Sequence, residues 1–150
     1  MGLYKNACKC LIKSEENPNP VYDLNEDDEI WFIVDTDKWG GELATLREKT
    51  AEHNNWFVGQ SNPCFEVWLY YHFEKEKPNS DICNWKSFLN DKIKGGFNLK
   101  EHPKFIQDAI VNSELNFSLS SNQPDVLSTE VFLLGKKSLP LVESDIDSIL

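Results

Sequence analysis

Two apolar runs, separated by an amphipathic segment, stand out in the first half of the chain. Residues 30–34 (IWFIV) form a continuous run of β-forming side chains without polar alternation, which is typical of a strand covered on both faces. Residues 43–53 place their apolar side chains on one helical stripe, and residues 56–59 are a second short apolar strand. This order of strand, helix and strand predicts an α/β fold with a parallel central sheet flanked by helices.

A strongly apolar segment follows the second strand. Asn62 and Pro63 form a helix start, because Asn62 can cap the helix and Pro63 suits the first helical position. Residues 64–73 are apolar almost all round, which predicts a helix buried in the middle of the domain. We expect its Trp68 and Leu69 to be nearly inaccessible to solvent.

The remaining elements are predicted from weaker signals. Residues 7–12 suggest a short strand. Helices are predicted at 85–93, where a Gly-Gly pair follows, and at 103–117. A loop at 116–124 precedes a C-terminal helix that is expected to break near Pro140.

Length and composition are those of one globular domain over residues 1–150. The chain has no apolar run of about 18 residues and no signal-peptide pattern at its start. We therefore expect a cytoplasmic protein without a membrane span. The four cysteines lack the spacing of a zinc site, and reduced thiols are the better interpretation.

The charge balance of the chain limits the kinds of partner that it can bind. Fifteen Lys and Arg residues against twenty-five Asp and Glu residues give a net charge of −10. A domain that holds nucleic acid by neutralising phosphates normally has the opposite balance, so nucleic acid is not expected to bind through a basic surface of this chain. The acidity is compatible with a site that collects divalent cations, or with a subunit that takes its basic surface from a partner. Charge alone does not choose between these.

Two aspartates directly follow the first predicted strand. Asp35 and Asp37 lie where α/β sheets place their ligand crevice, at the carboxyl end of a strand. Two carboxylates this close repel each other unless a cation or a basic group lies between them, and Mg²⁺ prefers oxygen ligands of this kind. The alternative interpretation is a solvated acidic turn, and the spacing alone favours neither.

A second polar cluster follows the second predicted strand. On a helix, Asn62 and Glu66 are four residues apart and share a face, with Ser61 lining the same site. Glu66 on an otherwise apolar helix needs a partner, which a metal, a His or a Lys would supply. His72, late on that helix, is a candidate general base, although a buried His is more often a hydrogen-bonded core residue.

These two segments resemble the RloB-like family, an abortive-infection group that is often encoded with restriction–modification genes and ATPase partners. The resemblance rests on IWFIVDTD (30–37) and SNPCFEVWLYYHF (61–73), and it extends over roughly residues 29–140. It implies a topoisomerase–primase-like fold in which the D-x-D aspartates, here Asp35 and Asp37, hold Mg²⁺ or Mn²⁺. Glu66 or His72 would then assist as base or support the metal ligands. It also implies an ATPase or restriction-system protein as partner.

The sequence departs from the family pattern before Asp35. The family's opening strand and its E-G-x-x-T-E segment should precede the D-x-D pair by a longer stretch, so the first strand–helix unit is expected to be reduced or missing. Three hypotheses follow: a phage-defence-associated nuclease-like protein acting on nucleic-acid phosphodiesters, a catalytically degenerate module that binds an ATPase or nuclease partner, and, less favoured, a scaffold without a site. Because a third carboxylate is not identified and the chain is acidic, we expect the isolated protein to cleave weakly at most.

Overall fold

The protein has a mixed α/β structure with a three-stranded mixed sheet and several helices. The computed structural model describes residues 2–36, 41–79 and 81–147. The helices are α1 (Gly2–Leu11), α2 (Glu42–Thr50), α3 (Glu66–Tyr70), α4 (Trp85–Lys92), a 3₁₀ turn (His102–Phe105), α5 (Ile106–Leu115) and α6 (Val131–Asp147). The strands are β1 (Ile30–Asp35), β2 (Trp56–Asn62), β3 (Leu119–Ser120), β4 (Gln123–Pro124) and β5 (Ser128–Thr129). In the described part of the chain, no helix is long and apolar enough to cross a membrane.

The sheet has the strand order β1-β2-β5. The Ile30 N–H donates to the Asn55 carbonyl at the first ends of β1 and β2, and the Thr36 hydroxyl donates to the Ser61 carbonyl at their last ends. The two strands therefore run in the same direction with α2 between them, as predicted. β5 instead pairs antiparallel with β2, with Thr129 opposite Ser61. The prediction of a parallel sheet is wrong for this strand, because β5 enters from a hairpin and not from a crossover helix.

β1 also differs from its predicted environment. Phe32 and Val34 are buried, whereas Ile33 between them is 37% exposed. The strand alternates because it lies at the edge of the sheet and only one of its faces is fully covered. An apolar run without polar alternation does not indicate that only one face of the strand is fully covered.

The described chain divides into two compact units. One holds the described residues within 1–32 and 39–58, and the other holds those within 33–38 and 59–150. The expectation of a single domain over 1–150 stays a prediction. In the first unit, the Tyr4 hydroxyl lies 3.1 Å from His53 Nε2, and Phe32 packs against Trp56 with ring centroids 5.4 Å apart.

The segment predicted as a strand at 7–12 is helical, since it belongs to α1. The helical period becomes visible only over the longer stretch from Leu3, where half-buried side chains recur at Tyr4, Ala7, Cys8 and Leu11. A six-residue window was too short to distinguish a period of 3.6 from one of 2. All of residues 2–29 are described, and they contain α1 but no strand.

The short helix α3 is the centre of the second unit. Val67 and Tyr71 are fully buried in a cluster with Trp85 and Leu89 of α4. Trp68 is buried in a separate cluster against α5 and α6. The prediction of a buried helix is therefore confirmed for Trp68, but Leu69 is only half-buried.

One of the remaining predictions is confirmed and two are changed. α4 agrees with its prediction, and the two glycines that follow it have positive φ angles of 89° and 75°. The loop predicted at 116–124 contains the hairpin β3–β4, whose turn residues Ser121 and Asn122 also have positive φ. α6 continues through Pro140 instead of breaking there. The carbonyl that Pro140 leaves without a donor is that of Lys136, four residues earlier, and because Lys136 is exposed, water can satisfy it.

Candidate functional site

A cavity of about 380 Å³ lies at the carboxyl end of β1, within the second unit. Its wall is formed by the end of β1, the residues that lead into α3 and the first residues of α4. The charged, amide and thiol side chains in this wall are those of Asp35, Cys64, Glu66, Cys83, Asn84 and Lys86. Residues that are about 50 positions apart in the chain thus line one cavity.

A backbone hydrogen bond fixes Asp35 against the start of α3. The Phe65 N–H donates to Asp35 Oδ1 at 2.8 Å, which satisfies one of the N–H groups that a helix start leaves without an intrahelical partner. Because Glu66 is the next residue, its carboxyl group lines the same cavity as that of Asp35. Both side chains are half-buried. The structure therefore brings these two predicted site residues together.

The predicted second aspartate, Asp37, lies outside the described residues. Within 2–36, 41–79 and 81–147, no set of three or more His, Cys, Asp or Glu side chains is close enough to hold a metal ion. Asp35 and Glu66 are the carboxylates that the cavity offers. Mg²⁺ commonly uses one or two carboxylates and completes its shell with water and substrate phosphate, so this donor set fits a hard divalent ion.

Cys64 lines the cavity without being a reactive thiol. Burial, reinforced by a hydrogen bond with Glu66, raises the pKa of the Cys64 thiol to about 12. The Cys64 thiol is consequently protonated at neutral pH and supplies neither a nucleophilic thiolate nor a soft metal ligand. The carboxylates of Asp35 and Glu66 are therefore the groups in this lining that could hold a hard cation.

The opposite wall carries positive potential. The Asn84 side chain caps α4 by accepting a hydrogen bond from the Ser87 N–H at 3.0 Å. The N-terminal end of the α4 dipole and the ammonium group of Lys86 therefore border the cavity. Neither Asn84 nor Lys86 was predicted from the sequence as a site residue. Asn84 could have been identified as a cap before an amphipathic helix, whereas no sequence signal marks Lys86.

Ser61 and Asn62 do not line the cavity, contrary to expectation. They end β2, and α3 begins only after Phe65, so Asn62 and Glu66 do not share a helix face. The Ser61 hydroxyl instead lies 2.7 Å from that of Thr129 on β5, and Asn62 Nδ2 donates to the Pro124 carbonyl at 2.8 Å. The Ser61 side chain is held by β5 and the Asn62 side chain by the Pro124 carbonyl on β4, so neither caps α3.

His72 is buried away from the cavity lining. Its Nδ1–H donates to the Trp68 carbonyl at 3.1 Å, and its ring packs edge-on against Trp68 and Phe97, with centroids 5.1 and 5.0 Å away. Burial lowers the pKa of His72 to about 4, so the imidazole is neutral at physiological pH. The structure does not bring this predicted base together with Asp35 and Glu66.

Comparison with known proteins yields one match. No curated protein and no solved structure matches the chain. The family model described as RloB-like protein matches residues 2–137 of the 150. This match covers both motifs around Asp35 and Glu66 and most of the chain besides, which confirms the family resemblance found in the sequence. The protein belongs to the RloB-like family.

Proposed function

We propose that this protein is a phage-defence-associated, nuclease-like domain that binds a divalent metal ion in the cavity at the end of β1. The observation that carries the proposal is the hydrogen bond from the Phe65 N–H to Asp35, which holds the Asp35 and Glu66 carboxylates on one cavity. Membership of the RloB-like family is consistent with the defence context. The topoisomerase–primase-like fold is part of the proposal, and the strand–helix–strand order with a carboxylate after β1 supports it.

The residues of the cavity have separate roles in this proposal. Asp35 and Glu66 would hold the ion, and the sequence motif adds Asp37, which lies outside the described residues. When bound, Mg²⁺ or Mn²⁺ supplies Lewis-acid polarisation of a phosphate and a more acidic bound water. Lys86 and the start of α4 attract the phosphodiester to the same cavity and offset its charge. His72, which is buried and neutral, supports the fold beneath α3.

A binding module is the second candidate, and the charge favours it. The net charge of −10 repels nucleic-acid backbones at moderate salt, so productive encounters of the isolated chain with a substrate are rare. An ATPase or restriction-system partner in the cytoplasm would supply the missing basic surface. In this form the Asp35 cavity is a contact site for the partner and no longer a catalytic one.

A cleavage assay tests the nuclease proposal. End-labelled single- and double-stranded DNA and RNA are incubated with Mg²⁺ or Mn²⁺ and the native chain, Asp35→Asn or Asp91→Asn. Asp91 is an exposed acidic residue on α4 and provides the matched control. We expect slow, metal-dependent cleavage that falls by about 100-fold or more in Asp35→Asn, as when a metal ligand is removed, and is retained in Asp91→Asn. Cleavage that is equal in all three proteins, or absent with every substrate, contradicts the nuclease and leaves the binding module.

A further inference from the structure

A second cavity, of about 330 Å³, lies beside the other end of α4. Its lining includes Tyr70 and Phe73 from the α3 segment, Lys92 at the end of α4, and Lys94 and His102 beyond it. Its volume is at the lower end of the range for small-molecule sites, which suits one ring system with its substituents. Neither the RloB-like motifs nor the Asp35 cavity includes the basic side chains of this lining.

One wall of this second cavity is aromatic. Phe73 is 38% exposed, although it is large and apolar. Edge-on contacts with His102 and Phe97, at 4.9 and 6.1 Å between centroids, hold the orientation of its ring. His102 Nδ1 accepts the Asn98 N–H at 2.8 Å, so the neutral ring carries its proton on Nε2 and is a hydrogen-bond donor there. A fixed, accessible aromatic ring is a stacking platform for a planar base.

The other wall carries two lysines, Lys92 and Lys94, and one carboxylate, Glu74. Lys92 Nζ is 2.6 Å from Glu74 Oε1, so its charge is partly compensated. Lys94 is exposed and forms no ion pair with the described residues, which leaves a cation for a ligand anion. The surrounding segment, residues 83–106, has five lysines (86, 92, 94, 100 and 104) against two acidic residues (91 and 101). The chain as a whole has a net charge of −10, so the net charge does not indicate this local excess of cations.

Helix α4 connects the two cavities. Trp85 lines the Asp35 cavity, while Leu89 and Lys92 line the second one, and these positions follow the i, i+4, i+7 spacing of one helix face. From Trp85 to Lys92 the helix rises about 10 Å, at 1.5 Å per residue. Stacked nucleotides are about 3.4 Å apart along a strand, so about three of them span this distance.

We propose that the second cavity is a subsite for one nucleotide unit, with the base stacked on Phe73 and the phosphate bound by Lys94 and Lys92. This inference rests on the proposed function, because it gives a single strand a second point of attachment beside the Asp35 cavity. From the sequence, no basic surface for nucleic acid is expected on this chain. The proposed subsite instead provides a small basic surface formed by Lys92 and Lys94. The ligand is recognised by a planar base joined to a phosphate, whether free or within a strand.

Binding of a labelled single-stranded decamer, followed by fluorescence anisotropy in EDTA and about 50 mM salt, tests the phosphate-binding role of Lys94. Lys94→Gln is expected to weaken binding by roughly fivefold and to reduce the salt dependence of log K by about 0.7, the slope that one neutralised phosphate contributes on a single strand. The exposed Lys100→Gln removes the same charge from the same segment outside the cavity and serves as the control, with less than about a twofold effect. Equal weakening in both variants shows a diffuse charge effect and overturns the subsite.

The stacking contact needs its own test. Phe73→Leu keeps apolar volume but removes the ring face, and we expect roughly tenfold weaker binding of the decamer, within the range for removal of a stacked base. For an abasic decamer, native and Phe73→Leu proteins should bind equally. Circular dichroism checks that the variant is folded. If a folded Phe73→Leu protein binds the decamer as tightly as the native chain, no base stacks there and the inference is wrong.

Free AMP and adenosine identify the source of the nucleotide. If AMP displaces the decamer at a similar concentration, the ligand is a free nucleotide. If only oligonucleotides displace it, the ligand is a strand. Either result supports the subsite, whereas displacement by neither contradicts it.

Mn²⁺ binding by the same variants separates this inference from the proposed function. A normal Mn²⁺ site with no effect of Lys94→Gln or Phe73→Leu on the decamer rejects the subsite alone. Weaker decamer binding in both variants without any Mn²⁺ site rejects the metal proposal alone.

Discussion

At the scale of single residues, the chemistry of the second unit depends on which polar groups the fold keeps near solvent and which it buries. Asp35 and Glu66 are half-buried and line a cavity, so their carboxylates are accessible to a small cation. Cys64 lines the same cavity as a buried protonated thiol. His72 is buried and neutral. These differences in burial assign the first pair to the site and His72 to the core.

The burial of His72 predicts how stability depends on pH. Its pKa is about 4 in the folded protein and near 6.5 when unfolded, so the unfolded chain binds more protons between these values. The stabilisation is therefore complete above about pH 6.5 and declines as the pH falls towards 4. Between pH 7 and 5 this residue should lower the unfolding free energy by about 2 kcal/mol. Urea unfolding of native and His72→Gln proteins measures it. The variant should show a flatter pH dependence, and parallel curves would contradict the assignment.

The thiols provide a second check on burial. Cys83 is exposed, whereas Cys64 is buried with a raised pKa. An aromatic disulfide reagent at pH 8 should therefore modify Cys83 rapidly and Cys64 only as the protein unfolds. Cys83→Ser should remove a fast phase of the reaction, and Cys64→Ser should leave that phase unchanged. A fast phase that disappears in Cys64→Ser would show that the cavity wall is open at this thiol.

At the scale of elements, α3 joins the packing of the second unit to its chemistry. Its first residue is Glu66, its N-cap position is Phe65, whose N–H holds Asp35, and its buried side chains fix it against α4, α5 and α6. Ring contacts continue this packing, since Tyr70 meets Trp85 at 6.1 Å and Phe88 at 5.9 Å. The position of the Glu66 carboxyl group thus depends on a well-packed helix of little more than one turn.

Truncation of Trp68 tests this dependence. Trp68→Ala should reduce the unfolding free energy by about 3–5 kcal/mol, through reduced burial and the cavity left against α5 and α6. Denaturant unfolding at constant m-value measures the change. Leu141→Ala on α6 is the control, because Leu141 is 81% exposed and its truncation should change the unfolding free energy by less than about 0.5 kcal/mol. A decrease below about 1 kcal/mol for Trp68→Ala would mean that α3 is not the core of its unit.

The elements show which parts of the fold the sequence could predict. β1, α2, β2 and α4 have local signals, either an apolar run or an amphipathic stripe, and were predicted within a few residues. β5 is two polar residues whose strand geometry comes from pairing with β2, and no local pattern indicates it. Hydrogen bonds to β5 and to β4 hold the side chains of Ser61 and Asn62, respectively, away from the predicted site. Asp35 and Glu66 were predictable because a carboxylate after a strand and one on an apolar helix both need partners.

At the scale of the whole molecule, a strongly acidic chain carries a locally basic segment. Lysines 86, 92 and 94 border the two cavities along α4, whereas the net charge of the chain is −10. Long-range repulsion of nucleic acid and short-range attraction at α4 therefore coexist. Low ionic strength should strengthen both effects, and a basic partner would remove the first one. In the proposed function, a basic partner or a metal ion would complete the Asp35 cavity.

The proposed function requires that the Asp35–Glu66 cavity bind a divalent cation, and a Mn²⁺ titration followed by electron paramagnetic resonance measures this binding. The native chain should bind one Mn²⁺ ion that excess Mg²⁺ displaces. Asp35→Asn and Glu66→Gln should each weaken this binding by about tenfold or more, because each removes one of the few charged oxygen ligands. Asp91→Asn, which changes the same charge away from the cavity, should leave the affinity within about twofold. Native-like Mn²⁺ affinity in both Asp35→Asn and Glu66→Gln would contradict the account.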